Sequence, residues 1–221
     1  MYASLSFLAN VLQCPSMYVP KVFAVEDLPR LHDFMEEFNF AAMVTGRAGE
    51  LTASHIPFIL DRKAQPYGVL RGHIAIRNPQ LTDLREDSQV LVIFQGPHTY
   101  VSPSWYVNPE NVPTWNYTAV HAYGVPKVGN KAAMIALLKD LTAKHESSFE
   151  QPWDFDPNAE WIQKLLNEIV AFEIPIERLE GKFKLNQNRK PEDRDSVIAT
   201  LSSSEDPAQR AVVQLMTERQ S

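Results

Sequence analysis

The feature that most constrains this chain is a change of period after residue 40. Residues 26–38, EDLPRLHDFMEEF, place Leu28, Leu31, Phe34, Met35 and Phe38 on one helical face. From Ala41 onward the helical period gives way to short runs rich in β-branched residues. AAMVTG (41–46), ELTASHIPFIL (50–60), GVLRGHIAI (68–76) and QVLVIFQG (89–96) read as strands, broken by Gly, Pro and Asp turns. NPQLTDLRED (78–87) reads as a short helix, and HTYVS and TAVHAYGVPKV supply two more strands.

The back half turns helical. Asn130 is placed to cap a helix over 131–145, with Met134, Leu137, Leu138 and Leu141 inward. Asn158 is placed to cap a second, with Trp161, Ile162, Leu165, Leu166 and Ile169 inward. IVAFEIPIERLEGKFKL (169–185) reads as a long strand interrupted at Pro175, Pro191 starts a helix ending near Leu201, and Val212, Leu215 and Met216 mark a last helix. Six or seven strands with peripheral helices make a mainly β, α+β chain: a small antiparallel barrel with helices outside.

Composition sets outer bounds. The 221 residues are 44% hydrophobic and 22% charged, ordinary for one globular domain, and no apolar run is long enough to span a bilayer. The formal net charge of -6 argues against a large nucleic-acid footprint while leaving room for a local basic patch. The single cysteine, Cys14, fits a reducing compartment, and a cytoplasmic location is the expectation. Residues 1–16 lack the basic start of a signal peptide and are expected to be a disordered or loosely docked extension, with Met17 an alternative start. The domain then spans 17–201, with a C-terminal helix or tail over 202–221.

One stretch fits neither period. PSWYVNPENVPTWNY (103–117) holds two of the four tryptophans and three prolines. The prolines fix the loop in advance. Trp and Tyr supply large apolar faces with one polar handle each, a composition suited to interfaces. The segment reads as an interface wall that closes one side of a ligand crevice. Dimerisation without ligand is the alternative.

Several strings in order exceed what composition explains: MYVPKVF (17–23), LTASHIPFIL (51–60), LRGHIAIRNPQ (70–80), VIFQGPHTYVSPSWY (92–106), VPTWNYTAVHAYG (112–124) and LEGKFKLNQNR (179–189). Together they make a chain that resembles the PaiB-like family of FMN-binding negative transcriptional regulators, from Met17 to about Leu201. The family often has Ser where this chain has Asn186. The resemblance implies a split β-barrel of the FMN-binding type, a homodimer with FMN at its interface, and repression of transcription. DNA is a partner only by that last implication, since no helix–turn–helix pattern stands out.

No glycine-rich phosphate loop occurs, so side chains must hold the FMN phosphate. In the split-barrel type these contacts come from two strands and the turn after the second, which points to Ser54, His55, His73, Arg77 and Asn78. Arg77 leads, because a guanidinium holds phosphate bidentately. Gln95, at a strand end, suits the pyrimidine edge of the flavin. Ser102, Trp105, Tyr106, Trp115 and Asn116 carry the aromatic wall. Lys182 and Lys184 share one strand face, with Gln187 beyond; they want a cofactor phosphate, a nucleic-acid backbone or acidic side chains between them. The histidines show no metal-ligand spacing and no nucleophile elbow is present, so catalysis would be the flavin's own. Three readings stand: an FMN-binding regulator, a flavin reductase or oxidase of the same fold, and a flavin-free binding module.

Overall fold

The computed structural model describes residues 17–86, 88–108 and 110–218; the extension 1–16, with Cys14, and residues 219–221 of the tail lie outside them. In chain order the elements are β1 (Ala24–Val25), α1 (Leu28–Glu37), β2 (Phe40–Arg47), β3 (Glu50–Pro57), β4 (Ile59–Asp61), β5 (Val69–Ala75), α2 (Gln80–Arg85), β6 (Val90–Val101), β7 (Thr114–Gly124), β8 (Lys127–Val128), α3 (Lys131–Glu146), α4 (Glu160–Leu166), β9 (Ile169–Pro175), β10 (Arg178–Lys184), α5 (Pro191–Ser202) and α6 (Pro207–Glu218).

The strands form two antiparallel sheets, one of order β1-β10-β7-β6-β2-β3 and one of order β4-β5-β9-β8. They face each other across one core. Met43, Val92, Phe94, Val120 and Phe183 come from the larger sheet, and Leu70, Ile74, Phe172 and Ile174 from the smaller. Phe34 and Met35 of α1, Val197 and Leu201 of α5, and Val212 and Met216 of α6 join the same core. The sheets do not close on each other, which is the open, split barrel expected. A second, smaller core lies outside the smaller sheet, where Met134, Leu137 and Leu141 of α3 and Ile162 and Leu166 of α4 pack on Ala171.

Local chemistry explains the boundaries. Asp27 caps α1, accepting from the Arg30 amide at 2.8 Å, and Asn130 caps α3, accepting from the Ala133 amide at 3.0 Å. Two expected long strands are instead split between sheets. The run 50–60 breaks at buried Phe58, whose amide donates to the Asn39 carbonyl at 2.9 Å, so β3 and β4 belong to different sheets. The run 169–185 breaks after Pro175 into β9 and β10, again in different sheets. At that crossing Gly124 passes so close that an added Cβ would lie 2.1 Å from the Pro175 carbonyl oxygen. Conversely, the two runs expected at 89–96 and 98–102 are one strand, β6, with a register shift between Gln95 and His98. With β8 also split from β7 into the other sheet, and with the unexpected β1, the described residues hold ten strands where six or seven were expected.

The second back-half helix also differs. Its N-cap is Ala159, while Asn158 uses its amide to donate to the Asp156 side chain at 2.9 Å. Ile162 and Leu166 point inward as expected, but Trp161 and Leu165 are exposed. No helix among the described residues is long and apolar enough to cross a membrane.

Candidate functional site

Strand alternation sorts the larger sheet into two faces. Inward residues fill the core. Outward, the pairings align Ala42, Ile93 and His121 in one row, and Val44, Leu91 and Tyr123 in the next. A third row runs Gln95–Ala119–Lys182, a fourth His98–Tyr117–Lys184, and Tyr100 stands opposite Trp115. This outward face is apolar and aromatic over much of its width, yet Leu51 is 80% exposed and Trp115 53%.

On it lies an open groove of about 340 Å³ lined by Ile93, Gln95, His98, Trp115, Tyr117, Ala119 and His121. Trp115 sets the wall, 6.1 Å from the Tyr100 ring and 6.2 Å from the His98 ring. The His98 Nδ1 donates to the Gly96 carbonyl at 3.3 Å. Tyr123 donates to Glu180 at 3.1 Å, and the His121 Nδ1 lies 3.5 Å from the Tyr123 hydroxyl. Burial holds His121 below the ordinary imidazole range, with Glu180 opposing and Lys182 assisting. Burial and the Glu180 carboxylate push the Tyr123 hydroxyl up to about 12. His98, Tyr117 and His121 escaped the sequence reading, although the period-two spacing from Trp115 through Tyr117 to His121 carried the signal.

A second group forms at the edge of the sheet. The Asn78 side-chain amide donates to Ser54 Oγ at 2.9 Å, tying the turn after β5 to β3. Asn78 Oδ1 accepts from the Gln80 amide at 2.9 Å, and the Leu81 and Thr82 amides donate to Asn78 and Pro79 carbonyls. The first amides of α2 are therefore already used. An anion there depends on side chains. Arg77 is exposed on this turn and makes no ion pair with a described residue. His55 neighbours Ser54 but points outward, 6.3 Å from the Phe40 ring. Beneath the turn, Gln80 is buried and donates to the Met43 and Thr52 carbonyls at 3.2 and 3.1 Å and to Thr45 Oγ1 at 3.2 Å. Gln80 is a positioning residue that no motif in the sequence announced.

The remaining candidates are distributed elsewhere. His73 pairs with Ala171 on the smaller sheet and faces the α3–α4 side, with Nδ1 buried and without a hydrogen-bond partner among the described residues, and its pKa lowered by burial. Ser102 caps a single 3-10 turn, Pro103–Trp105, accepting from the Ser104 amide at 3.3 Å. Trp105 packs against the main core and Tyr106 is buried. Asn116, fully buried, donates to the Met216 sulfur at 3.5 Å, on the face opposite its neighbour Trp115. Gln187 Oε1 accepts from the Leu185 amide at 2.6 Å, and its Nε2 donates to the Phe183 carbonyl. Lys182 donates to the Tyr18 carbonyl at 2.7 Å and Lys184 to that of Trp115 at 2.7 Å. Carbonyls, and on Lys184 the Thr114 hydroxyl as well, accept from this pair. Burial, Arg189 and Lys182 lower the Lys184 pKa.

Comparison with known proteins gives the chain a family. Residues 17–178 match the family described as "Putative FMN-binding domain". The chain is 37% identical over 205 residues to the Bacillus subtilis protein named "Protease synthase and sporulation protein PAI 2", covering 92% of this chain and 98% of that one. It is 31% identical over 244 residues to an uncharacterized protein of Emericella nidulans, covering 92% and 97%. Among solved structures, the FAD and heme binding protein from Mycobacterium smegmatis superposes with a TM-score of 0.57 at 18% identity, covering 73% of each chain. The chain belongs to this family of FMN-binding domains, and FMN is accordingly its cofactor.

Proposed function

We propose that the protein is a cytoplasmic homodimer that holds FMN against the outward face of its larger sheet and acts in regulation. The observation that carries this reading is an apolar face that the described residues leave open over β2, β3, β6 and β7, with an aromatic groove in it. Exposed apolar area on this scale marks an interaction surface. The donor set fits FMN. Trp115 and Tyr117 offer stacking surface, Gln95 offers an amide for the ring edge, and Arg77 offers a guanidinium for the phosphate, beside the Ser54 hydroxyl and His55. Lys182 and Lys184 border the groove but are held by backbone carbonyls, which favours Arg77 as the phosphate ligand. Bound FMN supplies one- and two-electron redox chemistry.

The regulatory role follows the family resemblance, and the Bacillus subtilis relative is itself named for sporulation. A second reading, an oxidoreductase, is favoured by one observation: His98 and His121 put proton-carrying side chains in the groove. Consumption of NAD(P)H with added FMN separates the two.

The test is a titration followed by quenching of flavin fluorescence. A charge-assisted hydrogen bond contributes roughly 1.5–3 kcal/mol. Arg77→Ala is therefore expected to weaken FMN binding about ten- to hundredfold. Riboflavin, which lacks the phosphate, should bind wild type and variant alike. Equal losses for both ligands would move Arg77 from the phosphate to the fold. A wild-type protein that binds neither flavin would leave the third reading, a flavin-free module.

A further inference from the structure

We propose that the α3–α4 connection and the outer side of α4 form a docking surface for a basic polypeptide segment of another protein. Helix α4 is apolar on two sides, and only one is covered. Ile162 and Leu166 are buried in the smaller core, while Trp161 is 56% exposed and Leu165 stands open beside it. Trp153, 47% exposed, lies 6.5 Å from the Trp161 ring and 6.0 Å from the Phe155 ring. Phe149 is exposed on the same connection.

This cluster is held in place. Phe155 packs against the smaller core. The Trp153 amide donates to Glu146 Oε2 at 2.8 Å, and prolines at 152 and 157 stiffen the flanks. Rings presented this way lose little freedom on binding, which is what a recognition surface needs.

Charge decides the occupant. Residues 146–160 carry Glu146, Glu150, Asp154, Asp156 and Glu160 and no Lys or Arg. Lys164, the next cation, is paired with Glu160 at 2.8 Å. Acids around exposed indoles attract arginine or lysine, which also stack on the aromatic faces. Nucleic acids and anionic membranes are repelled. A second copy is disfavoured, because a two-fold contact sets the same carboxylates against each other. The surface lies on the helix side of the smaller sheet, so a dimer formed through the larger sheet leaves it free.

The experiment uses the full chain and a synthetic octapeptide of alternating Arg and Gly, with its Glu-Gly counterpart as control, by titration calorimetry at low and high salt. The arginine peptide is expected to bind at least about tenfold more tightly than the control, and to weaken as salt rises. The double variant Trp153→Ala, Trp161→Ala should weaken it by about tenfold, since each exposed cation–π contact is a modest one. Should that variant melt early, Asp154→Asn with Glu150→Gln tests the charge term alone, and a several-fold loss is expected. Equal affinity for the two peptides, or affinity unchanged in both variants, overturns the proposal. Sedimentation in which these variants shift the monomer–dimer balance also overturns it, assigning the face to a second copy.

Discussion

The two sheets share one core but differ on their outsides. The smaller sheet is covered: α3 and α4 lie across β9, and Arg71 of β5 reaches Asp140 of α3 at 2.6 Å. The larger sheet carries Leu51, Phe40 and Trp115 outward in the open. Connectivity explains the contrast. The long link from β8 to β9 contains both covering helices. The link between β2 and β3 is only Ala48 and Gly49, both at positive φ, and has nothing to spare. The link from β6 to β7 folds away to α5, where the Asn108 amide meets Asp193 at 3.0 Å and Arg189 meets Asn111 at 2.6 Å. Met17 and Tyr18 cover only its β10 side, against Glu180 and Lys182; the part the described residues leave bare has the character of a subunit or ligand surface.

Two neighbours on β6 face opposite ways. Phe94 points into the core and is fully buried, so Phe94→Ala should cost about 3–5 kcal/mol, read as a large drop in melting temperature. Ile93 points outward into the groove. Ile93→Glu should leave a dilute monomer close to wild-type stability but put an unpaired charge in the proposed dimer contact, costing about 3 kcal/mol or more. Sedimentation should then show the dimer weakened by about a hundredfold. A dimer indifferent to Ile93→Glu would mean that the bare face is not the subunit contact.

How far all this could be read in advance depended on range. Helices α1 and α3 were legible to within a residue or two because caps and periods are local: Asp27 and Asn130 stand where their helices begin. Sheet membership was not. Within ELTASHIPFIL, Pro57 signals a break, but that Phe58 turns the chain into the other sheet depends on the Asn39 carbonyl and on the shared core. The site followed the same rule. Ser54 and Asn78 could be named from their strings, and the structure joins them. The neighbours Trp115 and Asn116 were grouped as one wall, yet strand alternation sends one outward and the other into the core. Trp161 and Leu165 were assigned inward because periodicity locates an apolar side without showing whether anything covers it.

Two cationic groups stand at opposite edges of this face, Arg77 beside β3 and Lys182 on β10. Arg77 makes no ion pair among the described residues, whereas Lys182 is buried and fixed to the Tyr18 carbonyl, with its Nζ 5.3 Å from the Tyr117 ring centre. Arg77→Ala should collapse the preference for FMN over riboflavin by about ten- to hundredfold. Lys182→Ala should change that preference by less than about threefold while lowering the melting temperature, since it removes a charged hydrogen bond. The reverse pattern would move the phosphate to the β10 side of the groove.

The smallest expected effect comes from pH, and it again sets one face against the other. His73 lies on the covered side of the smaller sheet and His121 on the bare side of the larger. Burial lowers the pKa of both. A histidine lowered in the folded state resists protonation there but accepts it freely when unfolded, near pH ~6.5. Stability from these groups is therefore complete above that value and is lost as pH falls below it toward the folded pKa. Melting temperature should fall between about pH 7.5 and about pH 5.5, and His73→Asn should flatten that slope at every protein concentration. His121→Asn should flatten it more at high concentration, where the proposed dimer covers this face and charging His121 costs more. Slopes that ignore concentration in both variants would place His121 outside the contact and shrink the dimer surface toward β2, β3 and Trp115.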